Sequence, residues 1–275
     1  MGKKLITIFL CLALVALMAG GASAYSGSYV PGAGINGTVH DLGTPGANGM
    51  NYGAQPADSL QRICIYCHAP HNTIKLSTAN GGPGQIGAGP VAPDAFDYLP
   101  LWNHTLTANF AGYTMYQNGP GAPTSGAKAS QAIQNGMTPG STSLLCLSCH
   151  DGSVAINSYG NSAQLARSQS SGGITISPSY LIGKDNYLGN HHPIGFDYDA
   201  VQAADIEIRP ADSYRLTPTS TIRDHLYGTG NTKMECGTCH SVHNTGNNGE
   251  TLLWRSDSQS KLCLSCHAKG AYTAP

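Results

Sequence analysis

Eight of the nine cysteines fall into four pairs with one common spacing, and each pair is followed at once by histidine. The pairs are Cys64/Cys67 with His68, Cys146/Cys149 with His150, Cys236/Cys239 with His240, and Cys263/Cys266 with His267. Two thiols at this spacing match two points on the edge of a haem, where they add to the vinyl groups as thioethers. The next residue is then carried beneath the ring, and its imidazole becomes the proximal iron ligand. Disulfide bonding is the usual fate of eight cysteines in an exported chain, but it has no use for that histidine. With 11 His in 275 residues, four such placements by chance have odds of roughly three in a million.

Zinc fits this pattern poorly. Cys64, Cys67, His68 and His71 crowd four side chains into eight residues, whereas zinc modules separate their ligand pairs by a longer loop. Two of the four motifs also lack a fourth ligand. A thioredoxin-like redox pair would occur once, near a βαβ pattern, and no such pattern is visible. Four covalent haem c groups follow.

Seven histidines remain for the second axial positions. His71 and His243 lead, because each follows its proximal histidine by three residues in the near-identical strings "CIYCHAPHN" and "CGTCHSVHN". On a helical turn residues at that spacing share one face. Neither side chain then reaches the far side of its own haem, so each is expected to bind the iron of a neighbouring haem and lock haems into pairs. His192 in "NHHPIGF" comes next, its backbone stiffened by the following proline; His191 is a bystander. His40, in "VHDLG", belongs to a Gly-rich arm before the first motif. Such an arm is loosely tied to its own domain and could reach a neighbouring subunit. His104 in "PLWNH" and His225 in "RDHLYG" stand in reserve. Methionine is the other common distal ligand, but Met50, Met115, Met137 and Met234 occur in no repeated context.

The elements that must position these groups are meagre. Only 11% of residues are charged and 7% aromatic, against 35 Gly and 16 Pro. The haems, large apolar plates, would supply both core and staple. A formal net charge of -1 argues against nucleic-acid binding. Lys3 and Lys4, the apolar run "LITIFLCLALVALM" with Cys11, and the small residues Ala22–Ala24 read as a signal peptide over 1–24. That run is too short for a membrane span, so an exported product with no retained anchor is expected.

An internal repeat organises the rest. Cys64 to His150 and Cys236 to His267 share one order: the doubled Cys/His string, then Leu-Trp, then "LCLSCH". Aligned on Leu-Trp, Trp102 matches Trp254 and His104 matches Ser256. Residues 25–155 form a first dihaem unit, with an N-terminal arm and inserted Gly/Pro-rich loops. Residues 156–225 connect irregularly and contain His192, with β-like stretches "GITIS" and "IEIR". Residues 226–275 form a compact second dihaem unit. Helical periodicity is weak nearly everywhere. The expected fold is mostly irregular coil organised by haem, with few short helices at the motifs, minimal strand and a short hairpin.

At "CGTCHSVHN" and "LCLSCH" the chain resembles the doubled-CXXCH multihaem cytochromes. With "VHDLG", "CIYCHAPH", "PLWNH", "HHPIGFDY" and the signal peptide, it is most similar to exported tetrahaem cytochromes of metal-reducing bacteria, including OmcE-type subunits of extracellular cytochrome filaments. The resemblance implies low-spin haems, each between two histidines, stacked closely, with one distal histidine crossing from the adjacent subunit; His40 or a reserve histidine would take that part. It also implies copies of the chain itself, other redox cytochromes and extracellular electron acceptors as partners, and an extracellular or outer-surface location.

The histidines outnumber the eight axial positions, so every iron can be saturated. An electron-transfer protein with no catalytic residue is therefore expected, either a filament subunit or a diffusible periplasmic or outer-surface shuttle. A multihaem reductase would need an open iron position, and no Cys-x-x-Cys-Lys occurs.

Overall fold

The computed structural model describes residues 32–43, 60–70, 101–107, 109, 112–116, 137–159, 174, 176, 178–247 and 250–275. The expected signal peptide, His71, Met50 and the Gly/Pro-rich loops lie outside them.

Each Cys-x-x-Cys motif begins or lies within a helical turn. The first is a 3-10 turn, Cys64–Tyr66. The others lie on α1 (Ser141–His150), α3 (Cys236–Cys239) and α4 (Lys261–Cys266). α2 (Tyr198–Ala204) binds no motif and was not anticipated. It starts where Asp197 accepts a hydrogen bond from the Ala200 amide, and it buries Tyr198 and Val201, three residues apart on one face. α1 is the longest element because Leu144, Leu145 and Leu147 are all buried, which embeds it rather than leaving it on the surface.

Among the described residues, strand is confined to two antiparallel pairs. β1 (Phe196–Asp197) pairs with β4 (Lys233–Met234). β2 (Arg215–Thr217) and β3 (Ser220–Thr221) form the short hairpin. The "IEIR" stretch is not a strand: Ile206 is exposed, and Ile208 makes a single bridge to His267. Among "GITIS", Ile174 and Ile176 are described and neither lies in a strand.

The main apolar cluster gathers around α1, with Leu216, Ile222, Leu226 and Met234 contributed from the second half of the chain. A smaller one holds Tyr66, Ile156, Tyr159 and Ile176. Gly195 joins β1 to the approach of α1, donating to Met234 O at 2.7 Å and accepting from the Thr138 amide at 2.9 Å. Its φ is +74°, and a Cβ there would stand 2.2 Å from Thr138 O.

The repeat is real, but its register differs by one residue from the Leu-Trp alignment. Asn103 N donates to Cys67 O and Trp254 N donates to Cys239 O. Likewise Asn103 Nδ2 reaches Ile65 O at 2.7 Å, and Trp254 Nε1 reaches Gly237 O at 2.8 Å. Asn103 and Trp254 therefore occupy equivalent places, and His104 corresponds to Arg255 rather than Ser256. A side-chain amide and an indole N–H perform the same task, and the sequence match concealed the slip.

Candidate haem centres

Three of the motif histidines each lie close to one of the expected distal histidines. His40 and His150 lie with ring centroids 6.2 Å apart. His68 and His243 are 6.0 Å apart, and His192 and His267 are 6.2 Å apart. A metal–imidazole bond is about 2.0–2.1 Å, and a ring centroid lies about 1.1 Å behind its nitrogen, so two imidazoles on opposite sides of one ion stand about 6.3 Å apart. All three pairs fit that span. Among the described residues no group of three or more His, Cys, Asp or Glu converges as a metal cage; the histidines meet in twos.

The pairs cross the chain. His68 of the first unit meets His243 of the second, and His267 of the second meets His192 of the connector. His40 meets His150 of its own chain, so its ring already has an in-chain partner where the resemblance implied a neighbouring subunit. His240 faces none of the described distal candidates at this distance, and His71 lies outside the described residues.

His40 is half-buried, and burial pushes its pKa down to about 4, with His150 adding to the effect. Burial lowers His150, His240 and His267 as well. Neutral imidazole is the form that binds iron. The Nδ1 atoms of His40 and His150 are buried without a hydrogen bond of normal geometry, although the backbone at Val242 and at Tyr180 pulls their pKa values slightly the other way.

The two reserve histidines are otherwise engaged. His225 Nε2 and Ser220 Oγ share a hydrogen bond of 2.6 Å, and the ring packs 4.4 Å from Trp254. His104 lies between Thr105 O, 2.6 Å from Nδ1, and Ala155 O, 3.0 Å from Nε2. Burial lowers its pKa, and a neutral ring donates from one nitrogen only, so one carbonyl is bonded at a time. Met115, Met137 and Met234 are packed in the main core.

None of the eight motif cysteines is joined in a disulfide. Burial raises Cys67 and Cys266 to about 11 and Cys239 to about 12. Their sulfurs also neighbour one another across motifs. The thiols of Cys146 and Cys236 share a hydrogen bond. Cys149 is raised by burial and then by Cys67, and Cys239 by burial and then by Cys266.

One carboxylate ties the middle pair together. Glu235 is 2% exposed and accepts from Gly140 N at 3.0 Å, from the Ser143 hydroxyl and from the Thr238 amide. It thereby caps α1 and α3 at once. Its own amide donates to Thr238 Oγ1 at 3.0 Å, and Cys236 N donates to Ser143 Oγ at 3.1 Å. No spacing rule pointed to Glu235.

Asp151, directly after His150, accepts from Thr107 at 2.5 Å, Tyr113 at 2.6 Å, Asn109 at 3.2 Å and the Ser153 amide at 2.7 Å. Burial would raise its pKa, but these hydrogen bonds hold it below the usual carboxylate value.

Residues 230–272 match the family model of the doubled CXXCH motif. No curated protein matches the chain. The matched segment spans the last two Cys-x-x-Cys-His motifs together with His243, and this doubled motif indicates covalently bound haem c. No helix among the described residues is long and apolar enough to cross a membrane.

Proposed function

We propose that the chain is a tetrahaem c-type cytochrome that passes electrons and transforms no substrate. The observation that carries this reading is the set of three histidine pairs at 6.0–6.2 Å, each combining a motif histidine with one outside its own motif. Haem iron contributes one-electron exchange when bound. The eight motif cysteines would fix four haems, and His68, His150, His240 and His267 would be their first iron ligands. His243, His40 and His192 close the irons of His68, His150 and His267.

His71 closes the fourth. It holds in the first unit the place that His243 holds in the second, and His243 meets the first unit's proximal histidine. By that place in the repeat, His71 is the candidate for the haem of His240. With these eight histidines, every iron would have two imidazole ligands and no open position for a substrate.

The resemblance to filament-forming cytochromes favours an exported subunit that polymerises with its own copies and hands electrons to redox cytochromes or extracellular acceptors. The in-chain partner of His40 favours a second reading, a periplasmic or outer-surface shuttle, because no lent ligand is required. Electron cryo-microscopy of the haem-loaded protein separates the two: a helical filament with continuous haems supports the subunit, discrete particles the shuttle. Ligation is tested by H40A, H243A and H192A, each expected to remove one low-spin ferric signal from the electron paramagnetic resonance spectrum. Four unchanged low-spin haems in all three variants would overturn the pairing.

A further inference from the structure

The two units share the hydrogen bonds of Asn103 and Trp254, yet they place opposite charges beside their second motifs. Arg255 is 2% exposed. Its Nη1 donates to Ser265 Oγ at 2.8 Å, and Ser265 lies between Cys263 and Cys266. Its other acceptors are Arg215 O at 3.3 Å, Thr273 O, and Thr273 Oγ1 at 3.4 Å. Every one is neutral, and among the described residues no carboxylate pairs with it. Tyr272 stands with its ring centroid 5.3 Å from the guanidinium carbon. Burying a cation without a counter-ion is costly, and in such surroundings its field is weakly screened.

The equivalent place in the first unit is taken by His104, whose Nε2 lies 3.4 Å from Cys149 Sγ. An imidazole thus stands where the second unit has a permanent cation. The first unit instead carries Asp151 next to His150, 5% exposed, and the second has Ala268 at that place. The four donors to Asp151 are neutral too, and among the described residues no cation pairs with it.

We propose that these two charges polarise the repeat, raising the reduction potential of the haem at Cys263/Cys266 and lowering that of the haem at Cys146/Cys149. A nearby positive charge stabilises the ferrous state and a negative charge the ferric state. Arg255 and Asp151 therefore bias electron residence toward the C-terminal end of the haem series. This rests on the tetrahaem reading and adds a direction to it.

The test is a spectroelectrochemical titration of the full haem-loaded chain, with the haems in each sample counted by mass. R255Q is expected to move one component to lower potential, D151N to move one to higher potential, and R255K to stay with the wild type. General loosening of the structure would not produce opposite signs. Shifts of the same sign, or no shift in either neutral variant, would overturn the proposal. Should R255Q fail to take up its haems, the sign of the D151N shift decides alone. A wild-type chain without four haems would instead defeat the tetrahaem reading.

Discussion

Glu235 and Gly140 stand 95 residues apart and are joined by a 3.0 Å hydrogen bond from the Gly140 amide to the Glu235 carboxylate. That contact, with those from Ser143 and Thr238, makes one buried side chain the common cap of α1 and α3. These are the helices whose first motif cysteines, Cys146 and Cys236, touch. Glu235→Gln replaces an acceptor-only group by one that presents N–H to donors. A loss of about 1–3 kcal/mol is expected. Urea unfolding of the haem-loaded chain measures it, and a midpoint equal to wild type would remove Glu235 from this role.

Gly195 has no substitute with a side chain. Its φ of +74° disfavours any L-residue, and its Cβ would press on the Thr138 carbonyl at 2.2 Å. Gly195→Ala is expected to cost at least about 2 kcal/mol, since left-handed backbone and a backbone clash act together. Thermal unfolding gives the figure, and a melting temperature within a degree of wild type would contradict it.

Acid stability should depend in part on Asp197. Burial alone would raise its carboxyl, but hydrogen bonds from Thr232 at 2.7 Å and Ala200 at 2.9 Å outweigh it and hold the pKa below the usual value. A lowered folded-state pKa stabilises above the unfolded value of about 3.9, and that contribution is lost as pH falls through the folded value. Asp197→Ala should therefore cost about 0.5–2 kcal/mol at pH 7, the usual range for a lost helix cap. The gap between the two proteins should narrow below about pH 4. A constant gap from pH 7 to pH 3 would assign the loss to something other than the carboxylate.

The four Cys-x-x-Cys-His motifs were legible because covalent chemistry fixes their spacing regardless of fold, and the scarcity of regular structure followed from the composition. The distal candidates were marked by local signals of different kinds. His243, in a repeated string, stands 6.0 Å from His68, and His192, before its proline, stands 6.2 Å from His267. His40, in an arm that could reach a neighbouring subunit, stands 6.2 Å from His150. His104 and His225 fit by residue type; the structure sets one nitrogen of His104 against Thr105 O or Ala155 O and Nε2 of His225 against Ser220 Oγ. Contacts that span the chain leave no local pattern, which is why Glu235 and the equivalence of His104 with Arg255 emerge from hydrogen bonds alone.

His225 provides a control for the ligand assignments. Its Nε2 is held by Ser220 at 2.6 Å, its ring lies 4.4 Å from Trp254, and burial lowers its pKa. Neutral His225 is therefore a packing and hydrogen-bonding residue between β3 and the third motif's neighbour Trp254. His225→Ala should cost about 1–3 kcal/mol through the unpaired hydroxyl and the lost ring contact. Every low-spin haem signal should survive it, unlike in H192A. Unfolding and paramagnetic resonance on the same sample read both quantities. The loss of a low-spin signal in His225→Ala would return this histidine to the list of axial ligands and displace one of the three proposed pairs.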